Sequence, residues 1–321
     1  MSIRTVLGDI SCDRIGATDY HEHVFQVSPL LPGDELVDED VSRLEVSLLG
    51  SAGIDAMIDA TPIGLGRNPS GLARISAATG MHIVATTGCH RRVHYTDQTW
   101  VLELTVSQLA QRMTSDVVTG MPPLDESRTN EPAHYDGAPI RAGVLKAGID
   151  YWSIDDFAHR VIEAIGIAHG HTGAPVMVHL EHGSAAFEVL EAFTAVGVAP
   201  DAVVLAHVDR NPDPVLHADL AALGAYLGYD GPARHREHPD SAILACMQEA
   251  IERGAGDRIL VGGDVARASR YVAAGGLPGL AYLPRRFVPR MREVLGTAAV
   301  ERILVDNPRT YLDRFADVER G

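Results

Sequence analysis

Lysine is almost absent from this chain of 321 residues. Lys146 is the single lysine among 27 basic residues, and the others are all arginine. Long apolar runs are missing as well: none reaches about 18 residues, and the N-terminal MSIRTVLGDIS has no hydrophobic core of a signal peptide. We therefore expect no membrane span, no secretion signal and a cytoplasmic protein.

Cysteine and positive charge are both in short supply. The three cysteines, Cys12, Cys89 and Cys246, lie far apart and form no CxxC motif, which is typical of reduced thiols. The 43 acidic residues outnumber the basic ones and give a net charge of −16, which argues against a nucleic-acid or anionic-membrane partner. A small anionic substrate would need arginines close to its site. The hydrophobic fraction of 46% is large enough for a substantial core.

Short apolar segments alternate with amphipathic segments along most of the chain. Near-continuous apolar strands followed by helices indicate a parallel sheet that is buried on both faces. Eight such strands predict a (β/α)8 barrel, whereas the alternative, a doubly wound sheet, usually has a GxGxxG motif after its first strand, and none occurs here. The predicted strands are 17–23, 54–61, 82–88, 142–148, 175–180, 202–208, 224–230 and 258–264.

We interpret residues 1–321 as one barrel domain. Residues 1–16 predict a short hairpin that covers the barrel floor. The Pro-rich and polar segment 116–140 is typical of a long surface loop.

Metal-ligating residue types follow several of the predicted strands. The carboxyl ends of barrel strands meet at one mouth, so these side chains should converge there. His21 and His23, at i and i+2, point to the same side of the first strand. The full set is His21, His23, Lys146, His179, His207 and Asp264.

Each of these residues also has an ordinary structural explanation. His179 and His207 could each be a hydrogen-bonded core histidine, and Asp264 could be a helix N-cap. His182 competes with His179, but it falls in the loop after the strand. We prefer the metal-binding interpretation because chance does not readily place metal-ligating residue types at five strand ends.

Lys146 lies in the apolar run VLKAG, where an ammonium group is unfavourable. Burial and neighbouring metal cations would both lower the pKa of this lysine. A neutral amine can add carbon dioxide and become a carbamate, an anion that bridges two metals. Arginine stays protonated and cannot do so. The alternative is a lysine that reaches solvent from a strand edge.

These motifs resemble the phosphotriesterase-like family of the amidohydrolase superfamily. The resemblance rests on HEH at 21–23, VLKAG, MVHLEHG, LAHVDRN and GGDVAR, in that order along nearly the whole chain. It implies a distorted (β/α)8 barrel with two divalent metals. By this resemblance His21, His23 and Asp264 bind the more buried metal, His179 and His207 bind the more exposed one, and carboxylated Lys146 bridges both.

The resemblance implies a hydrolase in which two cations share a water, lower its pKa and hold it for attack on the substrate. Asp264 would take the proton and pass it to the leaving group. Histidine and oxygen ligands suit zinc, manganese or cobalt, with zinc preferred.

Segments 207–213, 229–239, 262–271 and 278–290 are most similar to the phospho-furanose lactonase branch, whose members open the lactone of a phosphorylated five-carbon sugar acid. Arginine pairs well with phosphate, so we expect an anionic lactone as the small-molecule partner. The candidate substrate contacts are Arg267, Arg236, Arg234 and Tyr95.

Other functions remain open at this point. An amide or acyl-amino-acid hydrolase, or a promiscuous phosphotriesterase, would use the same metals, although an aromatic content of 5% is low for an apolar triester pocket. A non-catalytic binding protein would be expected to have lost a ligand. A metal-free sugar-phosphate isomerase would have a Gly-rich phosphate loop and a glutamate base. We also leave a homodimer open.

Overall fold

The computed structural model describes residues 2–126 and 131–315. Its central feature is a sheet of eight parallel strands, in the order β12-β11-β10-β9-β8-β5-β4-β3, with two short antiparallel hairpins outside it, β1-β2 and β6-β7. The strands are β1 Ser2–Thr5, β2 Gly8–Ser11, β3 Thr18–Glu22, β4 Ala56–Asp59, β5 His82–Gly88, β6 His134–Tyr135, β7 Ala138–Pro139, β8 Val144–Ile149, β9 Val176–Leu180, β10 Val203–Ala206, β11 Tyr226–Tyr229 and β12 Ile259–Val261.

Helices follow the strands and cover the outside of the sheet. They are α1 Glu39–Ser51, α2 Pro69–Thr79, α3 Thr99–Glu103, α4 Val106–Val118, α5 Asp156–Thr172, α6 Ala186–Ala195, α7 Pro214–Ala222, α8 Asp240–Glu252, α9 Val288–Leu295, α10 Thr297–Glu301 and α11 Asn307–Leu312. Within the described ranges, no helix combines the length and the apolar character that a membrane crossing requires.

The two edges of the sheet approach each other and nearly close a barrel. The backbone N–H of Asp264, just after β12, donates to the carbonyl of His21 on β3 at 2.8 Å. Gly262 permits this approach, because a Cβ there would lie 2.9 Å from the His21 nitrogen. The predicted (β/α)8 barrel is confirmed, and each of the eight predicted strands overlaps one observed strand, although β8 ends one residue beyond its predicted range.

The barrel interior is filled at its lower end by an apolar layer. Val144 and Met177 belong to this layer and are fully buried. Side chains alternate between the two faces of a strand, so Lys146 and His179, two residues further on, point into the same interior, closer to the carboxyl ends. The fold thus brings them to the barrel mouth above a dry core.

The segment 116–140 is more ordered than its composition predicts. Asp125 is buried and accepts from Arg67 Nε at 2.7 Å and from Arg112 Nη2 at 2.9 Å. The guanidinium of Arg67 also donates to Asp116 at 2.8 Å. These buried ion pairs hold the segment against the barrel, so the interpretation of this whole segment as a surface loop is wrong for its anchored residues. Residues 127–130 lie outside the described part.

Candidate metal centre

Three side chains form a compact group at the junction of β3 and β12. Asp264 Oδ1 lies 3.6 Å from His21 Nε2 and 3.5 Å from His23 Nε2. All three residues are buried, and their ligand atoms lie within 4.8 Å of one another. Lys146 Nζ is 3.5 Å from His21 Nε2. Four of the six predicted residues therefore converge.

The remaining two predicted residues meet beside this group. His179 Nδ1 and His207 Nε2 face each other at 2.8 Å. The His207 ring lies 5.2 Å from the His21 ring, measured between centroids. His182, in contrast, is exposed in the loop after β9, with Nε2 3.7 Å from Glu181 Oε1. The geometry therefore places His179, and not His182, beside the other candidate ligands.

The outward nitrogen of each histidine is occupied by a hydrogen bond. His23 Nδ1 bonds to Thr61 Oγ1 at 2.8 Å, and His179 Nε2 bonds to Glu181 Oε2 at 2.8 Å. A hydrogen bond on the outward nitrogen fixes the ring orientation and leaves the other nitrogen with its lone pair directed into the site.

Asp230 forms a hydrogen bond with one histidine of each group. It is not among the residues predicted from the sequence. Its Oδ2 bonds to His21 Nδ1 at 3.0 Å, and its Oδ1 bonds to His207 Nδ1 at 2.5 Å. The Tyr20 hydroxyl also donates to it. Burial opposes ionisation, but contact with His207 and His21 holds the pKa of Asp230 well below its usual value. The carboxylate is fully occupied and orients the ligands. The sequence feature that could have identified Asp230 is its position as the acidic residue at the end of the strand segment YLGYD.

Lys146 is 1% exposed. Burial lowers its pKa to about 8, against the opposing attraction of Asp264, Asp230 and Asp59. A substantial neutral fraction near pH 7–8 is what addition of carbon dioxide requires, so the environment fits the predicted carboxylation.

The two carboxylate oxygens of Asp264 have different neighbours. Arginine side chains contact Oδ2, and His21 and His23 face Oδ1. Arg234 and Arg210 both donate to Oδ2, Arg210 at 3.2 Å. Burial favours the neutral acid, but Arg234, His21 and His23 hold the pKa of Asp264 well below its usual value. Its backbone has φ +46, a conformation that costs energy in a non-glycine residue. Asp264 is therefore an ionised carboxylate in a constrained position.

The donor set fits a pair of divalent metal ions. Burial lowers the pKa of His23 to about 4 and that of His207 to about 3, so both rings offer neutral lone pairs at pH 7. Neutral imidazoles and an ionised carboxylate are the ligand forms that zinc and related metals require.

The six residues line a central cavity of 310 Å³ that opens at the barrel mouth. Of the predicted substrate contacts, Arg234 and Arg267 also line this cavity, and Arg270, which is not among the predicted contacts, lines it with them. Burial lowers the pKa of Arg270 below its usual value, as does repulsion from Arg234. Arg236 is exposed and lies outside the cavity lining.

Tyr95 does not reach the cavity. Its side chain is completely buried, and its hydroxyl donates to the Ile63 carbonyl at 3.1 Å and accepts from the His90 backbone N–H at 2.8 Å. The phenol stabilises the loop after β5, and the expectation that it contacts substrate has no support in this placement. His90 and His94 from the same loop do line the cavity.

A barrel with histidines, a carboxylate and a buried lysine at its strand ends defines a metal-dependent hydrolase class. Comparison with known sequences agrees: a sequence model of the phosphotriesterase family matches residues 1–312, and the chain belongs to that family.

Two similar proteins and one similar structure are hydrolases of lactones or of an N-acetyl compound. The chain is 28% identical to the phospho-furanose lactonase of Mycoplasmopsis synoviae, over 96% of this chain and 91% of the relative. It is 26% identical to the N-acetyltaurine hydrolase of Danio rerio, over 97% of each chain. The crystal structure of a lactonase from Listeria monocytogenes superposes with a TM-score of 0.89 at 29% identity, covering 98% of this chain and 100% of that one. The protein is a hydrolase, and these findings support metal-dependent hydrolysis of a lactone.

Proposed function

We propose that the protein, acting as one barrel domain, opens a phosphorylated sugar lactone at a binuclear metal centre. The observation that carries the proposal is the position of Lys146, which is buried, has a lowered pKa and lies 3.5 Å from His21 Nε2 in the predicted ligand group.

Each predicted residue then has a role. His21, His23 and Asp264 would hold one cation, and His179 and His207 the other. The Lys146 amine would add carbon dioxide, forming an N–C bond with loss of a proton, and the carbamate would bridge the two. When bound, the cations (zinc, manganese or cobalt) supply an activated water and polarise the lactone carbonyl.

The chain itself would move the proton. Asp264 is ionised and is fixed by Arg210 and Arg234 on one oxygen, so the other oxygen can accept the proton released on attack. Delivery of that proton to the ring oxygen of the lactone would complete the opening. Arg234 and Arg210 would keep the carboxylate oriented throughout.

Arginines on the loops after β11 and β12 are the proposed phosphate contacts. Arg234, Arg267 and Arg270 all line the cavity, and guanidinium groups bind phosphate through paired, charge-assisted hydrogen bonds. In a chain with a net charge of −16, such a local concentration of arginine favours an anionic substrate. The Mycoplasmopsis relative is a phospho-furanose lactonase, which supports the same substrate class.

Hydrolysis of an N-acyl compound is the second candidate, because the Danio rerio relative is an N-acetyltaurine hydrolase. The same metal ligands and the same arginines would serve an anionic N-acetyl substrate.

A substrate panel tests the proposal. Purified enzyme loaded with zinc or manganese would be given a phosphorylated γ-lactone, its unphosphorylated counterpart, an N-acetyl amide and an aryl phosphotriester, with acid or product release as the readout. We expect the phosphorylated lactone to have the highest kcat/KM. Preference for the N-acetyl amide would overturn the lactonase proposal.

A further inference from the structure

A second, larger cleft opens beside the central cavity. It has a volume of 900 Å³ and is formed by the loops after β8, β9 and β10. Four residues line both spaces, namely Arg91, Glu181, His182 and Arg210. A ligand held at the metal centre could therefore extend into this outer cleft without leaving the protein surface.

Two large aromatic side chains stand exposed in the outer cleft. Tyr151 is 61% and Trp152 63% exposed, although the chain has two tryptophans in all. Exposed tryptophan and tyrosine provide wide, rigid contact surfaces at small entropic cost, which is why binding sites use them.

The backbone holds Trp152 in place. Its φ is +50, in the left-handed region that a bulky residue rarely adopts. Its N–H donates to Ser184 Oγ at 3.0 Å, and that hydroxyl donates to the Glu181 carbonyl at 2.7 Å. A strained residue fixed by a neighbouring loop, with its indole facing solvent, is better explained by contact with a ligand than by packing.

The charges on the shared wall are already paired. Arg91 Nη1 lies 2.9 Å from Asp150 Oδ1 and 3.2 Å from Glu181 Oε2, and Arg210 is paired with Asp264. The outer cleft thus differs from the part of the central cavity lined by Arg267, whose Nη1 lies 4.0 Å from Asp34 Oδ2. What it offers a ligand is aromatic surface surrounded by hydrogen-bonding groups, including those of Asn211 and Ser184.

We propose that the outer cleft is a subsite for an uncharged sugar ring attached to the lactone that is opened. The C–H face of the ring would pack on the indole of Trp152, while its hydroxyl groups would bond to the carboxylate and amide groups around it. This inference rests on the proposed lactonase function, and it predicts a preference for glycosylated lactones.

Fluorescence tests binding separately from catalysis. Trp100→Phe leaves Trp152 as the single tryptophan, and this variant would be titrated with maltobionic acid, which bears a glucosyl group, and with gluconic acid, which does not. We expect a saturable change in Trp152 emission with maltobionic acid only. Equal responses to the two acids, or none, would overturn the subsite.

Hydrolysis provides the second test. Trp152→Ala should lose about tenfold in kcat/KM on maltobionolactone, the effect of removing one well-packed aromatic anchor, and should leave gluconolactone hydrolysis unchanged. Trp152→Phe, which keeps a ring, should retain most of the preference. Equal losses on both lactones would contradict the proposal.

The subsite and the proposed function fail in different ways. A response to maltobionic acid without hydrolysis of any lactone would support the subsite and reject the lactonase. Hydrolysis of both lactones with equal kcat/KM, and with no fluorescence change, would support the lactonase and reject the subsite. Loss of self-association in Trp152→Ala, with the sugar response absent, would assign the cleft to contact between copies of the chain and overturn the proposal.

Discussion

Two sides of the central cavity are built in different ways, the side of the candidate metal ligands and the side lined by arginines. Each of the four candidate ligand histidines is oriented through its second nitrogen, by Asp230, Thr61 or Glu181. On the arginine side, the Arg267 side chain is 52% exposed, and Asp34 Oδ2 lies 4.0 Å from it. The candidate metal ligands are thus fixed at strand ends, whereas Arg267, a proposed phosphate contact, is an exposed loop side chain with one long contact. Four substitutions test this division.

Lys146→Met should have the largest effect, because it removes the proposed bridge between the two metals. We expect loss of most of the metal and most of the activity. Lys146→Glu, whose carboxylate can also bridge, should recover part of both. Metal content and turnover would be measured on the same preparations, and full two-metal occupancy in Lys146→Met would exclude the bridging role.

Asp264→Asn should lower turnover by about two to four powers of ten, the usual loss for an acid–base group. The isosteric amide should preserve the fold, which circular dichroism would check. Turnover near the wild-type level, at normal metal content, would show that another group moves the proton.

Arg267→Ala tests the arginine side. A charge-assisted hydrogen bond contributes about 1.5–3 kcal/mol, so kcat/KM on a phosphorylated lactone should fall roughly ten- to 150-fold. The unphosphorylated lactone should be nearly unaffected. Arg236→Ala is the matched control, since Arg236 is an exposed arginine outside the cavity lining. Equal losses on both substrates would assign Arg267 to support of the Asp264 loop.

Asp230→Asn should weaken metal binding about 10–100-fold, the usual loss when a carboxylate that orients a ligating histidine is removed. Asp230 contacts one histidine of each group, so the affinity for both metals should fall, and excess metal should restore part of the activity. Thr61→Val removes the hydrogen bond to His23 and none to His21, His179 or His207, so it should weaken one metal. Competition with a chelator would measure both constants. Unchanged affinity in Asp230→Asn would mean that packing already fixes the two rings.

The barrel could be predicted from sequence because each strand is a short apolar run followed by an amphipathic helix. The convergence of the six candidate residues also followed, since parallel strands end at one mouth and side chains alternate along each strand. Their role as metal ligands stays a prediction.

Features that depend on distant contacts could not be predicted in this way. Asp230 acquires its role only because β3, β10 and β11 bring His21 and His207 against it. Tyr95 is a polar aromatic in a loop, and only the folded loop shows that its hydroxyl is used internally. The buried pairing of Arg67 with Asp116 and Asp125 likewise orders a segment whose composition is that of a loop.

The metal content of the purified protein tests whether the six candidate residues hold a binuclear centre. Protein produced with added zinc or manganese would be analysed by elemental mass spectrometry after removal of loosely bound metal, with a crystal structure to examine Lys146. We expect close to two metals per chain and carbamate density on Lys146. Full activity in metal-free protein, with an unmodified lysine, would contradict this expectation.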